Sequence, residues 1–263
     1  GIPVVAHRPA VGENLRDPLQ ARMMFEVRGL ETLNDILRSP WKKARMALRF
    51  ALLRDGMMST AGATAHAYAR TDASSPQPDI KLQLHHLSSP DERNPNRLVL
   101  DDFPGFSIGI VQQQPASRGS VHIRSPDPFE APALRPAYFS DPEDLRVTLR
   151  GIRLARHVAR QPALARCIVR EVRPGPQVES DEALEEYVRS TIFGSYHQVG
   201  TCRMGTDADS VVDPRLRVRG VEGLRIADAS VLPTIPASNT NAAAILVGEK
   251  AAEFMLNDAR SSS

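Results

Sequence analysis

The chain has 263 residues, 41% hydrophobic and 24% charged, a balance that suits a globular protein with a sizeable core. Its 33 basic and 31 acidic residues leave a formal net charge of +2, which gives no electrostatic case for nucleic acid or an anionic membrane. Two cysteines, Cys167 and Cys202, cannot build a disulfide framework or a multi-cysteine zinc site, so both are expected as free thiols in a reducing, cytoplasmic setting.

No apolar run approaches the ~20 residues of a membrane span, and no charged-then-apolar leader of the secretory type is seen. The 21 prolines predict long irregular connections. The chain opens abruptly on Gly1, in GIPVVAHRPAVGENL. It is therefore expected to be a proteolytic fragment, a tailored length or one half of a split protein rather than a complete translation product.

Residues 1 to 20 read as loop around VGENL, and MMFEV (23 to 27) as a short strand. Residues 31 to 56 read as two helical pieces broken at Pro40. The second piece interleaves Trp41, Met46, Leu48, Leu52 and Leu53 with Lys42, Lys43, Arg45, Arg49 and Arg54. A basic amphipathic helix of this kind can lie on a membrane surface. The commoner arrangement, one face packed on the core, is the expectation.

Strand character follows in TAHAYAR (64 to 70), DIKLQLHHL (79 to 87), FSIGIVQQQ (106 to 114) and GSVHIR (119 to 124). DIKLQLHHL alternates: Ile80, Leu82 and Leu84 face one way, Lys81, Gln83 and His85 the other. Strands joined by loops predict an antiparallel sheet with one wet face. Residues 125 to 136 form a proline-rich excursion.

A helix is predicted over 140 to 160, with Ser140 as cap, Glu143 completing a capping box and Pro142 in the first turn. A second runs over 180 to 192, capped by Ser180. The last runs from about Thr240 to Met255. The order of strands, then helices, then a closing loop and helix gives an α+β class.

Three stretches could carry chemistry. SYHQVGTCRMG (195 to 205) sets one histidine among small residues, with glycines at 200 and 205. Such a run is a poor helix and an interrupted strand, and its imidazole can take or give a proton near neutral pH. The other histidines read as structural or surface residues, and no metal ligand set is assembled. GLRIADASVLP (223 to 233) reads as a short buried strand, LRIA, ending in a polar turn at Asp228, Ala229 and Ser230. Such a turn can bind a ligand or be an ordinary turn. The final helix is preceded by Pro233 and Pro236, offers Ser238, Asn239 and Thr240 as caps, and opens on Ala242, Ala243 and Ala244. Its bare first turn would let an anionic or planar group approach the free N–H groups. By itself it reads equally as a capped core helix.

Together the stretches carry a resemblance. HQVGTCRMG, then GLRIADASVLPTIPASNTNA, then GEKAA closely resemble the C-terminal half of the glucose–methanol–choline (GMC) flavoprotein oxidoreductases, densely from Tyr196 to Phe254. AVGENLRD (10 to 17) resembles that family's G-V-G-x-N-L-x-D-H segment, with Ala10 where Gly is usual and Pro18 where His is usual.

The resemblance implies an FAD-dependent oxidation of an alcohol. His197 would take the hydroxyl proton as hydride leaves for the flavin N5. Asn239 would orient the substrate oxygen, and Tyr196 would wall the substrate pocket. Thr240, Asn241 and Ala242 would place backbone N–H groups near the flavin N1 and C2 carbonyl. Asp228 and Ala229 would contact the ribityl and pyrophosphate portion, and Val11, Gly12, Asn14 and Leu15 another part of FAD. The loop glycines would let the His197 loop lie against the ring system.

The implied organisation is an FAD-domain segment over 1–20, a GMC substrate domain with an antiparallel sheet flanked by helices over 21–190, and the catalytic loop with a second FAD-domain segment over 191–263. No G-x-G-x-x-G follows a strand. The Rossmann half is thus expected on a separate N-terminal chain. A non-catalytic interaction remnant and a GMC-fold lyase are the alternatives, and the intact His197–Asn239 pair weighs against both.

Overall fold

The computed structural model describes residues 3–90 and 99–261, which fall into two compact units. The second unit, Leu19–Gln112 with Leu145–Phe193, is built on a sheet in the order β2-β3-β4-β1-β7. Along that order its strands are β1 (Leu19–Val27), β2 (Ala63–Ala69), β3 (Ile80–His85), β4 (Gly105–Gln112) and β7 (Ile168–Arg173), and a sixth strand of two residues, Phe193–Gly194, pairs with β1 off this path. Every pairing along that order is antiparallel.

The alternation of the sequence sets the faces. Ala21, Met23, Ile80, Leu82, Ile108 and Ile110 form the buried apolar face, each no more than 5% exposed. Phe25 stacks on Phe106 with ring centroids 5.1 Å apart. Helix α3 (Pro142–Ala159) packs there through a glycine: a Cβ on Gly151 would lie 2.6 Å from Ile110 Cγ2. Glycine at that point permits the close helix–sheet approach.

The opposite face is polar but not wet. Register places Arg22 across from Gly109 and Gly109 across from Gln83, with Ser107 across from His85. Lys81, Ser107 and Gln20 are nonetheless buried. The expectation of a solvated face fails because this face is covered too. Burial then acts on its titratable groups: it lowers Arg22 to about 10 and, with the Arg22 charge nearby, lowers His85 to about 3. Assigned by its neighbours, the Gln20 amide oxygen accepts from Arg22 Nε at 2.9 Å.

Two helices precede β2. Helix α1 (Leu33–Arg38) ends at Ser39, whose hydroxyl then caps α2 (Pro40–Leu53), so the break falls at Pro40. No residue of α2 is buried. Only Lys42, Met46 and Phe50, one turn apart, are half-buried, and Trp41 is 87% exposed. The expectation of a helix packed by its apolar face is overturned, because Trp41, Leu48 and Leu52 lie on the side away from this stripe and are exposed.

Helix α5 (Asp181–Thr191) starts at Ser180, whose hydroxyl accepts from the Ala183 N–H at 3.2 Å, as predicted. At the start of α3 the expectation shifts by one residue. The Asp141 carboxylate, not Ser140, accepts from the Glu143 N–H at 2.9 Å, since Pro142 takes the first helical position. Beyond α3 lies the short α4 (Pro162–Ala165). Arg156 on α3 makes a two-pronged, nearly buried pair with Glu171 on β7 at 2.8 and 3.1 Å.

The first unit gathers three separated segments, 1–18, 113–144 and 194–263. The sequence reading grouped residues 113–144 with the sheet; here they pack with the terminal segments. They contain the ribbon of β5 (Ser120–His122) and β6 (Ala133–Arg135). The core of this unit is Val211, Val212, Leu216, Val218 and Val231, closed by Val247 and Ala251 of helix α6 (Asn241–Ser261).

LRIA is not a sheet strand. Arg225 makes a single bridge to Arg217, and Leu224 is 49% exposed. The Ile226 N–H reaches the Leu216 carbonyl at 3.2 Å, so the stretch is held by isolated bonds rather than by a ladder. Both cysteines are free thiols. No helix among the described residues is long and apolar enough to cross a membrane.

Candidate active site

The site lies in the first unit and is built from loop backbone. The segment 10–17 is a strap laid between two others. On one side Leu15 and Gly119 exchange backbone bonds at 2.9 and 2.8 Å; on the other Arg16 and Val199 do so at 3.0 Å each way. The Gly12 N–H donates to the Thr201 carbonyl at 2.8 Å.

Two glycines make this crossing possible. Gly200 has φ +96°, and a Cβ there would sit 2.3 Å from the Asn14 carbonyl oxygen. Gly12 has φ +85°, and its Cβ would sit 2.1 Å from the Val121 carbonyl oxygen. Asn14 is itself left-handed, at φ 59°, and its amide donates to the Gly200 carbonyl at 3.3 Å and that of Pro233 at 3.4 Å. The space opened by these glycines is occupied by the chain's own backbone. Both glycines are packing devices for the strap.

His197 follows Tyr196, which is left-handed at φ 60° and 65% exposed. Two contacts fix the histidine. Its backbone N–H donates to Asp17 Oδ1 at 3.2 Å, and its Nδ1 lies 3.0 Å from the Thr240 hydroxyl. Asp17 is buried and also accepts from the Tyr138 hydroxyl at 2.8 Å and the Gln198 amide at 3.1 Å. Burial raises the Asp17 carboxyl above its ordinary range, and the hydrogen bonds from Tyr138, the His197 backbone and Gln198 pull the other way. Tyr138 is raised in turn, first by burial and then by the Asp17 charge. Gly194 leaves room for this cluster: its Cβ would fall 2.3 Å from Asp17 Oδ2.

Downstream, the Cys202 N–H donates to the Ser230 carbonyl and the Met204 N–H to that of Val231, at 2.9 and 2.8 Å. The loop therefore runs alongside the polar turn, where the Asp228 carboxylate accepts from the Ser230 N–H at 2.7 Å.

The predicted residues divide by exposure. Asp228, Val11, Asn239, Asn241 and Ala242 are exposed, and Ala229 is half-buried. Gly12, Leu15 and Thr240 are buried. Thr240 was expected through its backbone N–H, but its side chain is committed to His197. Asp17, Tyr138 and Gln198 were missed. Asp17 stands inside the quoted AVGENLRD segment and Gln198 beside His197, so both were in view. Tyr138 lies just past a proline-rich stretch and carries no signal in sequence.

Among the described residues, no group of three or more His, Cys, Asp or Glu could hold a metal ion. The arrangement is an imidazole locked through one ring nitrogen and its own backbone, next to a helix start with little side-chain bulk.

The GMC oxidoreductase family model matches residues 115–248, and the chain belongs to that family. It is 33% identical over 256 residues to an alcohol dehydrogenase [acceptor] of Pseudomonas putida, covering 97% of this chain and 46% of that protein. It is 35% identical over 254 residues to an oxygen-dependent choline dehydrogenase of Escherichia coli, covering 97% and 45%. Among solved structures, an Aspergillus oryzae formate oxidase variant studied for FAD modification superposes with a TM-score of 0.89 at 23% identity, over 99% of this chain and 50% of that one. A fungal aryl-alcohol oxidase superposes with a TM-score of 0.79 at 25% identity, over 98% and 50%. The chain thus has the GMC fold and spans about half the length of the curated relatives it matches.

Proposed function

We propose that this chain is the catalytic half of an FAD-dependent oxidoreductase acting on an alcohol carbon, with His197 as general base and Asn239 orienting the substrate oxygen. The observation that carries the reading is the 3.0 Å contact between His197 Nδ1 and the Thr240 hydroxyl. A neutral imidazole that donates from Nδ1 keeps its lone pair on Nε2. With Nδ1 donating to the Thr240 hydroxyl, His197 would accept the hydroxyl proton at Nε2. Asn239 is the residue before Thr240, so its Cα lies ~3.8 Å along the chain. Asn239, exposed beside that contact, would orient the substrate oxygen.

The residues present fit a flavin. Thr240 turns its hydroxyl to His197, and the next residues, Asn241 and Ala242, are exposed. The first-turn N–H groups of such a helix carry a partial positive charge that favours an electron-rich partner. When bound, FAD supplies at N5 the acceptor for the hydride leaving the alcohol carbon.

Thr240, Asn241 and Ala242 would hold the ring edge through backbone N–H groups. Asp228 and Ala229 would contact the ribityl and pyrophosphate portion, and the strap residues Val11, Gly12, Asn14 and Leu15 another part. Tyr196, exposed beside the base, walls the substrate pocket. The rest of the FAD site belongs to an N-terminal half, which accounts for the remaining length of the relatives.

The test is reconstitution with that half, followed by anaerobic bleaching of the flavin bands with a panel of alcohols. His197→Ala is expected to slow bleaching ~10²–10⁴-fold with the visible spectrum intact. An unchanged rate would remove His197 as base, and a colourless complex would remove the cofactor assignment.

A further inference from the structure

Helix α2 is built differently from the other long helices. At 3.6 residues per turn, Ala47, Ala51, Ala44, Leu48, Trp41 and Leu52 fall in a continuous apolar arc of about 140°. The half-buried stripe of Lys42, Met46 and Phe50 lies on the opposite side. The arc therefore faces solvent, with Trp41 87%, Leu52 71% and Leu48 60% exposed. Its borders are cationic: Arg45 and Arg49 on one edge, Lys43 on the other.

There is no carboxylate on the helix. Glu31 pairs with Lys42 and Arg45, and Asp55 with Arg49, from outside it. Even with these acids counted, residues 31–55 carry a net charge of +3, more than the +2 of the whole chain. The near-neutral total conceals a local basic patch around a bare apolar face.

We propose that α2 is a docking helix for an anionic lipid surface. An apolar arc with a tryptophan and cationic edges lies in the plane of a bilayer interface, with the arc in the headgroup boundary and the cations against acidic headgroups. Charge complementarity selects this occupant. A second copy of the chain would bring the same cations to the contact, and like charges repel. The proposal is independent of the flavin chemistry.

Trp41 is the single tryptophan of the chain, so it reports on this helix alone. Its emission is to be recorded with vesicles of phosphatidylcholine, with and without about 30% phosphatidylglycerol. A shift to shorter wavelength is expected with the anionic vesicles and not with the neutral ones, and about 0.5 M salt should reverse it. Lys43→Glu should weaken partitioning on the order of tenfold or more. Leu48→Ser combined with Leu52→Ser should abolish the shift; both side chains are exposed, and an unchanged circular dichroism spectrum confirms the fold. No shift with either vesicle overturns the proposal, as does an equal shift with both. A shift that grows with protein concentration in the absence of lipid assigns the face to a second copy and overturns it too.

Discussion

The two units solve the problem of holding a polar group in place by opposite means. In the sheet unit, regular strands and helices fix side chains through period and register, and the buried Arg156–Glu171 pair is set by one helix and one strand. In the unit that holds His197, almost nothing around the histidine is regular. Single bridges, the crowded glycines Gly12, Gly194 and Gly200, and five left-handed residues, Asn14, Ala137, Phe139, Tyr196 and Leu216, replace the ladder. The difference teaches where rigidity comes from: in one unit from repetition, in the other from individual residues with no substitute.

If that contrast is right, the largest effect comes from filling one glycine. Gly200→Ala adds left-handed strain of ~1–2 kcal/mol and a clash with a backbone carbonyl, for a total of about 4 kcal/mol. Chemical denaturation should show the loss. A change below about 1 kcal/mol would mean that the strap is pliable and the contrast false. Arg156→Ala tests the other unit. It strands Glu171 and should cost about 3 kcal/mol, because both side chains keep only about a tenth of their exposure. Gly223→Ala is the control for conformation alone. Its φ is +73° with nothing within 4 Å of a Cβ, so it should cost only about 1 kcal/mol.

The smallest effect is a pH dependence. The Asp17 carboxyl is raised in the folded chain from its model-compound value of 3.8. Its stabilising contribution is therefore complete below pH 3.8 and declines as pH rises through the raised folded value. The stability of the chain relative to Asp17→Asn should fall over that window. A difference that rises with pH would show that the three hydrogen bonds to the carboxylate outweigh its burial.

The same contrast explains what could be read from the residues. The sheet was legible from alternation, as in Ile80, Leu82 and Leu84, and α5 from its Ser180 cap. The loops were legible only as identities, through HQVGTCRMG and ASNTNA, because no period marks them. Covering of the polar sheet face could not be read, since alternation says which face is polar but not what lies over it. Trp41 misled for a related reason: periodicity finds an apolar face without saying whether it turns inward. Tyr138 and the side-chain role of Thr240 rest on contacts across 121 and 43 residues, which no local pattern encodes.

The three-segment make-up of the first unit also governs the order in which it can form. Its strap is bridged to Val199, more than 180 residues later, and its core closes only with Val247 and Ala251. On the ribosome, the Val199 side of the strap therefore waits for most of the chain, while its Gly119 side and the β1–β4 pair can form far sooner. Contacts of such long span form slowly, and segments that wait unpaired are exposed to aggregation. The residues that hold the histidine are thus among the last to acquire their partners.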